Sequence, residues 1–234
     1  MKYLALTLIW LFASMSTAHA QLNVSKTTLE LSESDPRSMV RISNSGADTL
    51  YVNLDIEQLL DPANDESLRK PIDLLNNPKI LVLPQQLALE PGQTKLVRVV
   101  STNTDIKSDK VFRLNVVPFA GKPLSSQKEQ KSIGVKILMG YKLLVLVRPE
   151  KILSNIEYQQ SSSTLTFSNT GNTSVLLRQI EACNTAQNVC EDLAANRLYP
   201  GETHKVTLPQ QLQSKPVSVK TRQSIKYTEN IVEY

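Results

Sequence analysis

The stretch Ile133-Gly-Val-Lys-Ile-Leu-Met-Gly-Tyr-Lys-Leu-Leu-Val-Leu-Val-Arg148-Pro149 decides how this chain is read. In its first half, Ile133, Val135, Ile137 and Met139 occupy every second position. That spacing sends all four side chains to one face of a β-strand. In the second half, Leu143 to Val147 is continuously apolar, the pattern of a strand covered on both faces. Lys142 interrupts the junction. One long strand is therefore expected to be buried in its own protein at one end and to present an apolar row at the other. A row of that kind on a sheet edge invites pairing with another chain, so its presence calls for a purpose.

Outward from this stretch, the chain reads as nearly all β. Alternating apolar pairs and triplets recur, among them Val40/Ile42, Leu50/Val52/Leu54/Ile56, Phe112/Leu114/Val116, Leu165/Phe167 and Val217/Val219. Turn residues separate them, as at Asn44-Ser45-Gly46, Pro91-Gly92, Asn169-Thr170-Gly171 and Pro200-Gly201. This spacing predicts β-sandwich architecture. Helical periodicity is weak; its best candidate is Asp65 to Leu75, which Pro71 weakens.

Two internal echoes divide the chain. Leu89-Glu-Pro-Gly-Gln-Thr-Lys-Leu-Val97 returns as Leu198-Tyr-Pro-Gly-Glu-Thr-His-Lys-Val206, and Ile42-Ser-Asn-Ser-Gly46 returns as Phe167-Ser-Asn-Thr-Gly171, in the same order. Pro-Gly suits a tight turn between strands, and Asn-x-Gly tolerates left-handed backbone at a strand end. Two matching echoes predict two related sandwiches in tandem. Pro149 stops the long strand, which places the boundary there: residues 21–148 form one domain and 149–234 the other.

The first twenty residues have the form of an export signal: Lys2, an apolar core from Leu4 to Phe12, then Ala18-His19-Ala20 before Gln21. The apolar core is short for a membrane-spanning anchor. Removal of residues 1–20 leaves 214, enough for two domains of ordinary size or one large one. Net charge is +4, with scattered basic residues and few aromatics, which excludes a nucleic-acid surface of the usual kind. Cys183 and Cys190 have six residues between them. In an exported protein this spacing suits a disulfide closing a short loop. A zinc site would need more ligands than two cysteines and His204 supply.

Catalytic chemistry is thin. After the signal the only histidine is His204, in a predicted turn, and no Gly-x-Ser-x-Gly accompanies it. There is no phosphate-cradling glycine loop. The carboxylates Asp65 and Glu66 sit in a polar stretch that reads as solvated surface. The expectation is a protein that is not an enzyme, with no cofactor, no metal and no small-molecule substrate.

The export signal, two all-β halves, Ser38-Met-Val-Arg-Ile-Ser-Asn44, Leu89-Glu-Pro-Gly with Val97-Arg98, and the alternating strand ending in Arg148-Pro149 together resemble the PapD-like periplasmic pilus (fimbrial) chaperones. The second half, with Ser168-Asn-Thr-Gly-Asn-Thr173, the cysteine pair and Leu198-Tyr-Pro-Gly201, is similar to chaperones of the alternative chaperone–usher pathways. The resemblance implies two immunoglobulin-like sandwiches at an angle and a periplasmic location. It also implies pilus or fimbrial subunits and an outer-membrane usher as partners. It further implies donation of an edge strand to an incomplete subunit, a pairing given among the standard examples of strand addition.

Carried over by residue, the resemblance makes Ile133, Val135, Ile137 and Met139 the row that enters the subunit. Lys142 becomes the anchor for the subunit's terminal carboxylate, as a compact ammonium suits. Lys142 stands seven residues before Pro149, longer than the family's usual interval, so either a bulge lies within Leu143 to Val147 or the anchor differs. The family's second anchor, an arginine, is replaced at this point by Thr27 or Thr28, and neighbouring Lys26 is the candidate substitute. Arg148 matches an arginine that joins an interdomain salt bridge, with Asp109 and Glu229 as candidate partners; Arg98 is read as structural. The rival reading is a secreted pilus subunit or adhesin built of similar sandwiches. It would carry a donor extension ahead of its first strand, whereas here a strand is expected almost directly after Gln21.

Overall fold

The computed structural model describes residues 21–63, 69–71, 79–119, 138–184, 186–226 and 228–234. The first ten strands are β1 (Leu22–Val24), β2 (Thr28–Leu31), β3 (Arg37–Asn44), β4 (Leu50–Leu59), β5 (Arg69–Pro71), β6 (Ile80–Leu83), β7 (Gln86–Leu89), β8 (Thr94–Ser101), β9 (Lys110–Phe119) and β10 (Tyr141–Val147). They make two sheets. One runs β1-β3-β8-β6; the other runs β2-β10-β9-β4-β5, with β7 also on β4. Alternation in the sequence becomes inward and outward facing here. Val40 and Ile42 of β3, Val97 and Val99 of β8, and Leu143 and Val145 of β10 all meet in one core. The expected helix does not form where it can be judged: Arg69–Pro71 is a strand opposite Leu59–Glu57. Proline cannot supply a helix-interior amide, but it is tolerated on an edge strand.

The remaining strands are β11 (Ile156–Gln160), β12 (Thr164–Asn169), β13 (Val175–Asn184), β14 (Val189–Leu193), β15 (Asn196–Leu198), β16 (Thr203–Thr207), β17 (Ser218–Ile225) and β18 (Thr228–Glu233). They build a second sandwich from β11-β12-β16 and β14-β13-β17-β18, with β15 also on β13. Its own core includes Leu165, Phe167, Val175, Leu177 and Val219. Cys183 and Cys190 are register partners on the β13–β14 hairpin and form a disulfide.

The sequence echoes meet in space. Asn44 ends β3 and its amide donates to the carbonyls of Asp48 (2.7 Å) and Leu89 (2.9 Å), while its Oδ1 accepts from Gly46 N at 2.9 Å. Asn169 ends β12 and repeats the set with Thr173 O, Leu198 O and Gly171 N at 2.8, 3.0 and 3.0 Å. Gly92 and Gly201, the glycines of the two Pro-Gly turns, have φ of 75° and 82°, a region that favours glycine. Each donates its N–H to the carbonyl of the asparagine in its own half, at 2.8 and 2.9 Å. Each echo pair is thus one clamp: an asparagine side chain holding the strand that enters a Pro-Gly turn.

Candidate functional site

The site is built around β10. On one side it is antiparallel to β9 in an unbroken register from Tyr141 opposite Val116 to Val147 opposite Lys110. On the other it is parallel to β2, but only from Leu144 beside Thr28 to Val147 beside Leu31. Among the described residues, Tyr141, Lys142 and Leu143 therefore have a strand partner on one side only. The register contains no bulge, so the long interval between Lys142 and Pro149 is ordinary extended strand and Lys142 shares a face with Leu144 and Leu146.

Ile133, Val135 and Ile137 lie outside the described residues. Met139 is 61% exposed, whereas its neighbour Leu138 packs against the first core, as does Tyr141. Inward facing thus passes from Leu138 to Tyr141 without keeping a two-residue step. Gly140 marks the change: a Cβ there would stand 2.8 Å from the Val116 carbonyl oxygen, so the chain crosses β9 where no side chain fits.

Lys142 is exposed and pairs across the sheet with Asn115, whose amide donates to Asp55 Oδ2 at 2.8 Å. Asn115 Oδ1 and Glu57 Oε2, on this same face, are buried without a hydrogen-bond partner. Leu144 N donates to Thr27 O at 2.9 Å. Carried back two residues on each strand, the Leu144–Thr28 register brings Lys142 level with Lys26. Their side chains part, however: Lys26 Nζ reaches across to Ser38 Oγ on β3, at 3.3 Å.

Arg148, directly after β10, is 2% exposed. It donates to both carboxylate oxygens of Glu30 at 3.1 Å, to Asp109 Oδ2 at 3.2 Å, to Thr173 Oγ1 and to Ser174 O at 3.2 Å. Asp109 in turn accepts from Thr173 Oγ1 (2.9 Å) and Ser174 N (2.7 Å). One guanidinium therefore ties β2 and the approach to β9 in the first sandwich to the segment ahead of β13 in the second. A planar fork with five donors meets this many acceptors as no ammonium could. Arg197 joins the edge of the cluster through Ser174 Oγ at 3.3 Å, and burial holds its guanidinium below its ordinary pKa. Glu229 is not a partner of Arg148. It lies on β18 and pairs with Arg178 at 3.5 Å. Glu30 takes the place the sequence left open, because the parallel register with β2 sets it beside Leu146.

His204 stands on β16 opposite Phe167 rather than in the turn, with Nε2 3.3 Å from Ala194 O. Among the described residues there is no group of three or more His, Cys, Asp or Glu placed to hold a metal ion. No helix among them is long and apolar enough to cross a membrane.

A family profile described as "Pili and flagellar-assembly chaperone, PapD N-terminal domain" matches residues 21–153. The chain belongs to this chaperone family. In fold, the PapD-type chain is similar to the class 5 fimbriae chaperone CfaA (15% identity, TM-score 0.64, covering 91% of this chain and 97% of that one). It is similar also to a structure of Salmonella enterica SafA pilin in complex with the SafB chaperone (12%, 0.65, 94% and 98%). A third is the CsuC–CsuE chaperone–tip subunit complex from archaic Csu pili of Acinetobacter baumannii (15%, 0.59, 92% and 98%). A search of curated protein sequences finds no match. The family and the two-sandwich fold agree with the architecture that the sequence predicts.

Proposed function

We propose that this chain is a periplasmic chaperone that binds, folds and caps pilus subunits by lending them the strand that begins near Ile133, then delivers them to an outer-membrane usher. Residues 1–20 direct export, and the two domains divide at Arg148-Pro149. The observation that carries the reading is the one-sided pairing of β10. Its core-facing residues Leu143, Val145 and Val147 are fully buried, yet β2 covers its free side only from Leu144 onward. Ahead of that point no described strand pairs with this edge of the backbone, and the apolar row Ile133/Val135/Ile137 precedes it in the sequence. An incomplete sandwich that adds such a strand gains main-chain hydrogen bonds, while alternate side chains fill its groove. Full burial of each donated side chain contributes roughly 1.5–3 kcal/mol before ordering costs.

Lys142, exposed on the open stretch, is the anchor for a terminal carboxylate. Lys26, level with it in register, supplies a second charge after turning away from Ser38. The SafB and CsuC structures, in which chaperones of this fold accompany a pilin and a tip subunit, support the same partner class. Binding by strand and charge needs neither cofactor nor catalysis.

The test replaces Val135 and Ile137 together by Asp and measures subunit recovered with the chaperone from periplasmic extracts. The expected result is loss of the subunit with normal chaperone levels. Undiminished subunit would overturn strand donation.

A further inference from the structure

The outer face of the sheet β1-β3-β8-β6, turned away from the first core, holds a groove of about 940 Å³. Arg37, Met39 and Arg41 alternate outward along β3, and Leu96 and Arg98 alternate outward along β8. The register sets Met39 beside Arg98 and Arg41 beside Leu96; Leu83 of β6 lies beyond Arg98. All six side chains are exposed. Among the described residues, the guanidiniums of Arg37, Arg41 and Arg98 make no hydrogen bond or ion pair; the one side-chain contact here is Ser25 Oγ accepting from the Arg41 backbone N–H at 3.0 Å. At one end the groove is bordered by Lys26, Glu30 and Asp35, and both oxygens of Glu30 are already held by Arg148. Among the described lining residues the three arginines and Lys26 outnumber Asp35, the border carboxylate that Arg148 does not hold, so positive charge dominates the groove.

The spacing says what would neutralise it. Along the strand direction Arg41, Arg98 (level with Met39) and Arg37 follow one another in two-residue steps, about 7 Å each. An extended polypeptide repeats the side chains of one face at the same interval. Carboxylates at alternate positions of such a segment fall in step with the three guanidinium forks, each of which can take a carboxylate in two-pronged fashion. Met39, Leu83 and Leu96 lie between and beside the cations and offer apolar contact to the intervening parts of the segment. A sugar-phosphate backbone has nothing apolar to place there, and a flat bilayer does not enter a groove.

We infer that this face is a docking surface for an extended acidic segment of a partner protein, with acidic residues at every second position. The surface is centred on β3 and β8 and meets the edge of β10 only at Lys26, and it accounts for Arg98 as a contact residue rather than a structural one.

The test uses the purified chain and fluorescent peptides. An alternating (Glu-Thr)5 peptide is compared by anisotropy with a block peptide of five Glu followed by five Thr, and with (Lys-Thr)5. The alternating peptide is expected to bind at least fivefold more tightly than the block peptide. Its binding should weaken with added salt and fall at least tenfold in the triple variant R37E/R41E/R98E. These side chains are exposed and pair with no described residue, so the variant should keep the parent's thermal unfolding; if it does not, the single variant R98E is read instead, with a threefold loss expected. Equal binding of the two acidic peptides, or binding unchanged in the variant, overturns the proposal. So does arginine-dependent binding to vesicles of anionic phospholipid that matches or exceeds binding of the peptide.

Discussion

Arg148 holds Glu30 by two parallel hydrogen bonds of 3.1 Å, and both side chains are largely buried. Removing the guanidinium leaves Glu30 and the fully buried Asp109 without their hydrogen-bonded counter-charge, with only Arg197 at the edge of the cluster to offset them. Arg148→Ala should therefore cost about 3–5 kcal/mol of stability, read by urea unfolding. Arg148→Lys keeps the charge and loses the fork, and should recover only part of that. A change below about 1 kcal/mol in Arg148→Ala would show that the cluster contributes little to holding the fold.

Lys142 is exposed and its neighbours pack without it, so Lys142→Ala should leave thermal unfolding unchanged. Subunit affinity should fall by about thirtyfold, corresponding to roughly 2 kcal/mol for a charge lost at a partly dry carboxylate. Titration of the chaperone with a subunit carrying an amidated C-terminus provides the matching control: with the carboxylate gone, the variant and the parent should bind alike.

Asn44 and Asn169 do the same work in the two halves, so their removal should have similar costs. Each Ala substitution deletes three hydrogen bonds around a turn and should destabilise by about 2–3 kcal/mol. Hydrogen exchange read by mass spectrometry would locate the loss: around β3 and β7 for Asn44→Ala, around β12 and β15 for Asn169→Ala.

The second core ends in a ring cluster in which Tyr158 and Tyr234 stack at 5.1 Å and Tyr158 meets Phe167 at 5.5 Å. Burial raises both phenol pKa values above 10.0. The folded state therefore keeps these protons at pH values where the unfolded chain has lost them. The stability they confer is intact below pH 10 and falls as pH rises through it. Melting temperature should drop more steeply from pH 9 to 11 in the parent than in Tyr158→Phe/Tyr234→Phe. Tyr158→Phe alone should be neutral or stabilising by up to about 1 kcal/mol, since its hydroxyl is buried without a partner.

Much of the fold was legible because it rests on local pattern. Val40/Ile42 and Leu165/Phe167 alternate as their strands do, and the paired Pro-Gly and Asn-x-Gly segments announced two related halves. What could not be read were relationships fixed by register between distant strands. Glu30 looks like an ordinary outward residue of Thr28–Leu31 until β2 lies parallel to β10, and only then does it face Arg148. Glu229 looks equally available and instead belongs to β18, the edge strand of the β14-β13-β17-β18 sheet, where it meets Arg178. Met139 continued a perfect two-residue alternation on paper, and only the close approach of Gly140 to Val116 shows where that alternation stops. Arg98 carried a motif resemblance that says nothing of where its side chain points, and only the register of β8 turns it outward beside Met39.

The lopsided pairing of β10 also decides how the protein bears load. Any tug applied ahead of Tyr141 runs along the strand, at right angles to its antiparallel hydrogen bonds with β9. Those bonds then share the strain together, as in a lap joint, instead of parting one by one like a zip. From Leu144 onward a second row toward β2 joins them, and Arg148 bolts the far end. A strand held in this way resists being drawn out of the sandwich lengthwise, so tension on the segment ahead of it is passed to both sheet neighbours at once.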